Sequence, residues 1–220
     1  MTLARDTDRI ESDRLILRRI EPDDVEFFTQ VHADPEVARY LSHGKPRSPQ
    51  ESLAWLQSVL RTYELFALGQ LAVLRKSDGM LIGRCGLSDL AVEARVSATA
   101  VPRGWYQRDD APAGAEILFE RELGYTFHRN SWGQGYASEA ARCVFDYARD
   151  VLRLPRVISL IHPENIRSLR VAQRFGAQRE DVVEVLSRPF DRLAWPILSI
   201  PHRPNRSRSE TDADGNVRER

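Results

Sequence analysis

Residues 125–140 read Tyr-Thr-Phe-His-Arg-Asn-Ser-Trp-Gly-Gln-Gly-Tyr-Ala-Ser-Glu-Ala: a strand-like stretch, a two-glycine bend and the start of a helix. The first turn of a helix presents backbone N–H groups with no partner inside the helix, at the end where the helix dipole is positive. A diphosphate set there is held by several donors at once. Gly133 and Gly135 carry no side chain to block that approach and admit backbone angles other residues avoid. Taken alone, the same pattern also fits an ordinary tight strand-to-helix turn. The bend lacks the Gly-Lys-Ser/Thr of a nucleotide triphosphate loop and the third glycine of the dinucleotide fingerprint. It also stands late in the chain, so triphosphate hydrolysis and hydride transfer both lose ground.

Two further groups carry chemistry. Glu116, Glu120 and Glu122 alternate along a strand predicted over Glu116–His128 and therefore share one face. A desolvated carboxylate has a raised pKa and can take a proton near neutral pH. Asn165 precedes a short apolar-periodic segment as a natural N-cap, and Ser168 follows three positions later, where a helix serine also bonds its own backbone. Metal chemistry is not expected, because His32, His43, His128, His162 and His202 show no paired ligand spacing. Cys85 and Cys143, with no CxxC, read as small buried hydrophobes.

The elements that must position these residues follow from periodicity. Leu15–Arg19 is a first strand. Glu21-Pro22-Asp23-Asp24 starts a helix with Val25, Phe28 and Val31 on one face. Ser48-Pro49-Gln50-Glu51 is a capping box ahead of the Leu53, Leu56, Leu60 stripe. Gln70–Arg75 and Met80–Leu87 form a hairpin about Ser77-Asp78-Gly79. Ala91–Gly114 reads as an irregular surface insertion. After the glycine bend come a helix over Tyr136–Leu152, a strand over Arg156–Ile161 and a helix over Ile166–Phe175 ended by Gly176. Late strands at Val182–Leu186 and Leu193–Ile200 make a hairpin around Pro189. Residues 1–10 read as a flexible N-terminus, 11–200 as one domain and 201–220 as a disordered tail.

Composition sets the class. A chain of 220 residues, 42% hydrophobic, suffices for one α/β domain with a real core. Thirty-two basic residues balance thirty-two acidic ones, which gives no general reason to expect nucleic acid or membrane as a partner. The polar N-terminus lacks a signal-peptide core and no stretch approaches a membrane span, so a cytoplasmic location is expected.

The segment Asn130–Ala140 resembles the acetyl-CoA loop of the GNAT superfamily of N-acetyltransferases, and its Trp-Gly-x-Gly-Tyr-Ala form resembles the ribosomal-protein N-terminal (alanine) acetyltransferase branch. Asn130 stands where the wider family prefers Gln or Arg. Four more segments resemble that branch in the right order: Glu11–Arg19, Asp34–Tyr40, Leu81–Leu87 and Pro163–Ser168. The resemblance implies a mixed, mostly antiparallel sheet flanked by helices, with two strands splayed to form an acetyl-CoA cleft. It implies that backbone groups near Phe127 and His128 pair with the pantetheine arm. The amides of Trp132, Gly133, Gln134, Gly135, Tyr136, Ala137 and Ser138 would hold the diphosphate, and Asn165 would bond the arm. Glu122 is the first choice for general base, with Glu120 and Glu116 in competition and a passive role, facing solvent or paired with Arg121 or Arg84, as the alternative. Ser168 is implied as general acid, and His128 as a passive channel residue. The implied reaction is acetyl transfer from acetyl-CoA to a primary amine, such as a protein N-terminus or a small amine or antibiotic. A non-catalytic acyl-CoA-binding module is the competing class, and a homodimer fits the resemblance.

Overall fold

A computed structural model describes residues 9–41, 43–65, 69–93, 105–107, 114 and 116–196. In chain order the elements are β1 (Arg9–Glu11), β2 (Leu15–Arg19), α1 (Val25–Ala33), α2 (Pro35–Ala38), α3 (Pro49–Leu65), β3 (Gln70–Arg75), β4 (Leu81–Glu93) and β5 (Trp105–Gln107). They continue with β6 (Ile117–Phe127), α4 (Tyr136–Asp150), β7 (Arg156–Ile161), α5 (Ile166–Arg174), β8 (Gln178–Val185) and β9 (Arg188–Pro196). The strands form one sheet in the order β1-β2-β3-β4-β6-β7-β9-β8, with β5 also paired to β4. Every pairing is antiparallel except β6 with β7.

Strand alternation sends side chains to two helical layers. On one face Leu15, Leu17, Val73, Cys85, Leu87 and Leu123 pack beneath α4. Ala140, Ala141 and Ala148 are fully buried there, and their small side chains let the helix lie close on the sheet. On the opposite face Phe28 of α1 and Leu56 and Val59 of α3 cover Ile20 and Ala72. The start of α3 is fixed by the expected capping box: Ser48 N–H donates to Glu51 at 2.7 Å, and Glu51 N–H donates to Ser48 Oγ at 3.2 Å.

Four boundaries differ from the sequence reading. The hairpin strand β4 runs on to Glu93, and Trp105–Gln107 forms β5 against it, so the start of the supposed irregular insertion and a segment within it are strand. Trp105 is the reason: it is 4% exposed and packs with Leu90, Val92 and Phe190. Gly114 at the insertion's far end is a turn residue, and residues 94–104 and 108–113, with residues 1–8, the 197–200 end of the last predicted strand and the 201–220 tail, lie outside the described residues. At the other end of the chain, β8 begins at Gln178 rather than Val182, because it is an edge strand whose exposed residues show no apolar alternation. The late turn falls at Leu186 and Ser187, both with positive φ (49° and 60°), and Pro189 lies inside β9. Pro189 is tolerated because β9 pairs with β7 only from Asp191 onward. Finally, Arg9 and Ile10 belong to β1 and register against Arg18 and Leu17.

Candidate active site

The parallel pair β6 and β7 holds register at one point, Glu122 with Ile158. Just beyond it, Ser159 Oγ donates to the Leu123 carbonyl at 2.6 Å. Past that bond, β7 follows β9 up to Ile161–Asp191, while β6 follows β4 up to Phe127–Gly83, so the two strands part. The opening widens into a groove of about 1420 Å³ that passes between α3 and the start of α4.

Backbone alternation decides which β6 groups face the opening. His128 N–H donates to Ile82 on the β4 side at 2.9 Å, so Phe127 and Tyr125 turn towards the splay. The Phe127 carbonyl accepts from Trp132 Nε1 at 2.9 Å, which ties the loop to the strand end. The His128 ring caps the following 3-10 turn, its Nδ1 accepting from Asn130 N–H at 3.2 Å, and leans on Phe27. Of the two residues expected to pair with an extended ligand, Phe127 therefore faces the gap, while the His128 amide is spent on β4.

The glycine bend follows from backbone geometry. Gly133 and Gly135 have φ of 76° and 83°, in the left-handed region that costs other residues strain. Gly135 is the N-cap of α4 and supplies no side-chain acceptor. The first α4 bond runs from Glu139 N–H to the Gly135 carbonyl, leaving the amides of Tyr136, Ala137 and Ser138 without intrahelical partners. The Trp132 amide is instead used within the loop, by the Arg129 carbonyl. The Gln134 side chain reaches back to the Asn130 carbonyl at 2.9 Å.

On the α3 side of the sheet, the three alternating carboxylates have separate fates. Glu120 is engaged by Arg156 at 3.4 Å and Arg192 at 3.9 Å. Glu116 is exposed just ahead of β6, away from the splay. Glu122 lines the groove at the point where the sheet parts. Burial pushes its pKa up, against the opposing pull of a Leu160 backbone hydrogen bond and the Arg84 charge. Arg121 is not its partner, since that guanidinium pairs with Asp89 at 2.5 Å.

Across the opening, Asn165 Oδ1 accepts from Ser168 N–H at 3.2 Å and so caps α5. Its amide nitrogen remains free to donate elsewhere, which removes the conflict between capping and ligand binding. Ser168 lines the groove, and its carbonyl accepts from Tyr125 Oη at 3.4 Å.

A family model described as an acetyltransferase (GNAT) domain matches residues 14–178. The chain belongs to that family. This GNAT protein is 25% identical over 182 residues to the uncharacterized N-acetyltransferase p20 of Bacillus licheniformis, covering 83% of this chain and 89% of the relative. It is 26% identical over 193 residues to the uncharacterized N-acetyltransferase YoaA of Bacillus subtilis, covering 86% and 96%. Among solved structures, an acetyltransferase from Agrobacterium tumefaciens superposes with a TM-score of 0.64 at 22% identity, covering 89% of this chain and 98% of that one. The ribosomal-protein-S5-alanine acetyltransferase of Vibrio fischeri superposes with a TM-score of 0.58 at 13% identity, covering 86% and 96%. The mixed open sheet flanked by helices is thus the fold of these acetyltransferases, as the sequence implied. The protein is an N-acetyltransferase that moves an acyl group to an amine, and members of its family use acetyl-CoA as cosubstrate.

Two residues of this GNAT site escaped the sequence reading. Arg14 donates to the Gln134 carbonyl at 3.0 Å, lies 4.7 Å over the Tyr136 ring and pairs with Glu139 at 2.6 Å. It brings a cation to the glycine bend from 120 positions away, and only its place at the head of the first strand marked it. Tyr125 lies on the strand that leads into the glycine bend, but nothing in local spacing predicts that its hydroxyl donates to the Ser168 carbonyl of α5. Among the described residues no cluster of three metal-ligating side chains occurs, and no helix is long and apolar enough to cross a membrane.

Proposed function

We propose that this chain acetylates a primary amine by direct attack on acetyl-CoA, with Glu122 as general base. The uncapped start of α4 beside the β6–β7 splay carries this reading. Amides of Gly133–Ser138 would hold the diphosphate, with the Arg14 guanidinium close by. Trp132 and Gln134 would keep the loop in shape. Tyr125 and Phe127 would offer backbone groups to the pantetheine arm as an added strand does, and the Asn165 amide nitrogen would donate to it. His128 would line the channel without taking part.

Acetyl-CoA supplies a thioester carbonyl carbon open to attack. The acceptor nitrogen, neutral when it attacks, bonds to that carbon, and the C–S bond breaks. Glu122 takes the proton the nitrogen sheds, directly or through water. A carboxylate whose burial raises its pKa is a stronger base than an exposed one, which suits it to this step. Ser168 would deliver a proton to the departing sulfur and take one back from water, so that CoA leaves as a thiol and the proton held by Glu122 passes to solvent. The two cysteines of the described chain are free, in keeping with a reducing cytoplasmic setting. A protein N-terminus is among the acceptors this groove would admit, in line with the activity named for the Vibrio fischeri neighbour.

Calorimetry with CoA and acetyl-CoA tests the first half of the reading, and CoA thiol release with an acceptor panel tests the second. Binding without release on peptide N-termini, polyamines and aminoglycosides alike would overturn the proposed chemistry and leave an acyl-CoA-binding module.

A further inference from the structure

The acceptor side of the groove holds two arginines with no carboxylate partner. Arg84 of β4 and Arg47, just before α3, both line it, and neither has an ion pair among the described residues. Arg84 Nη1 donates to Gln70 Oε1 at 2.6 Å, and Gln70 in turn donates to Ser88 Oγ at 2.9 Å. That chain fixes one arm of the guanidinium. Its face lies 5.2 Å from the Trp55 ring centre, and its buried Nε has no hydrogen-bond partner. Arg47 is held through its backbone, whose N–H donates to the His32 carbonyl at 3.0 Å, while its buried Nη1 is likewise without a partner.

A buried unpaired guanidinium donor is costly, and two together are worse. The nearby carboxylates do not relieve them. Glu51 raises the Arg47 pKa only against a larger desolvation effect, and its own carboxylate is tied to the α3 capping box. Glu122 is itself pushed towards the neutral form by burial. Burial lowers the pKa of each arginine, and the charge of Arg47 adds to burial in lowering that of Arg84 to about 10. The same two cations, after burial, hold the adjacent His32 near 3. The pair cannot serve the diphosphate at the glycine bend. It lies on the sheet face covered by α1 and α3, whereas α4 packs on the other.

Taking Glu122 as the base, we infer that the acceptor is a primary amine bearing a carboxylate, whose anion is received between Arg84 and Arg47 while its nitrogen faces Glu122. The open Nε edge of a guanidinium matches the two oxygens of a planar carboxylate. Two sources share that chemistry: a free amino acid, or an acidic side chain at a peptide N-terminus.

The test pairs acid with amide. Glutamate is compared with glutamine amide, which carries no carboxylate, and peptides starting in Asp or Glu with their Asn and Gln counterparts, on wild type and Arg47→Gln. The acids are expected to show about 10- to 100-fold higher kcat/KM than the amides in wild type, through KM, and Arg47→Gln is expected to erase that ratio. Arg47→Lys should restore part of it. Preference for the free acid or for the acidic peptide identifies the source. Calorimetric binding of the same pairs to the CoA-loaded protein reads the preference even without turnover. Equal use and equal binding of acid and amide by wild type would overturn the inference, and so would an equal loss on both in Arg47→Gln. Loss of turnover on every acceptor in Glu122→Gln, with the acid preference in binding retained, separates this inference from the assignment of the base.

Discussion

Glu122 and Ile158 stand opposite one another at the single point of register between β6 and β7, and the sheet opens immediately beyond them. The carboxylate is therefore set by two constraints at once. Strand alternation turns it to the α3 face, and the last shared position of the parallel pair puts it at the mouth of the cleft. A base attached to a loop would lack both constraints.

Glu122→Gln keeps the shape and the Leu160 contact but removes the proton acceptor. The expected loss in kcat/KM is roughly 100-fold or more for all acceptors, with acetyl-CoA affinity unchanged. In wild type, the ascending limb of the rate against pH should be displaced above the ordinary carboxylate value, because burial raises this pKa and only the ionised form accepts a proton. A limb that survives in the Gln variant would assign it to another group.

Gly135→Val forces a β-branched residue to φ near 83° and brings its Cβ to 3.3 Å from Arg14 Nη2. The backbone alone costs roughly 1–2 kcal/mol. Gly79 has a similar φ of 71° in the β3–β4 turn with open space around its Cβ, so Gly79→Val carries the same backbone cost far from the bend. Calorimetry should show acetyl-CoA binding lost in the first variant and kept in the second. Equal binding in both would remove the phosphate role from the bend.

Glu139 fastens the β1–β2 turn to α4, accepting from Ser12 Oγ at 2.6 Å, Arg14 N–H at 2.9 Å and Arg14 Nε at 2.7 Å. Burial alone would push its pKa up, but these hydrogen bonds more than reverse that and leave it below 4.5. Glu139→Gln should cost about 1–3 kcal/mol in urea unfolding near neutral pH, the lower end reflecting the half-exposed Arg14. The folded pKa is depressed, so this stability is present above the unfolded value and fades as pH falls through the folded one. Wild type and variant should converge in acid. A constant gap across pH would show that packing rather than charge is at stake.

Much of this was legible because local rules and tertiary contacts agreed. The Ser48–Glu51 capping box, the Ala140–Ala148 stripe and the positive-φ glycines at 133 and 135 each carry their signal within a few residues. The unread parts depend on partners distant in sequence. Trp105 makes a strand only because Leu90 and Phe190 form its pocket, and the exposed edge strand β8 has no buried face to betray its start. The fate of His128's amide depended on which way the β6 pleat faces, a choice fixed by pairing with β4. Spacing offered Arg84 only as a possible partner for Glu122 and gave no sign of Arg47, until the fold set Arg84 against Trp55 and tied the Arg47 backbone to His32.

His32 extends that last point to acid stability. It is fully buried, its Nδ1 lies 3.3 Å from Ser52 Oγ, and Trp55 meets it edge-on at 4.6 Å. Burial first, then Arg84 and Arg47, lower its pKa from 6.5 to about 3. Between those values the unfolded chain binds a proton that the folded chain refuses, so folding stability falls as pH drops from 6.5 towards 3. The loss approaches roughly 1.4 kcal/mol per pH unit within that window. His32→Leu removes the titrating ring at similar volume and should flatten this part of the stability curve, measured as urea midpoint against pH. It should also lower stability at neutral pH through the lost Ser52 contact, so the two curves should approach one another in acid. Curves that stay parallel from pH 6.5 to 3 would show that His32 is protonated in the fold as readily as in the open chain.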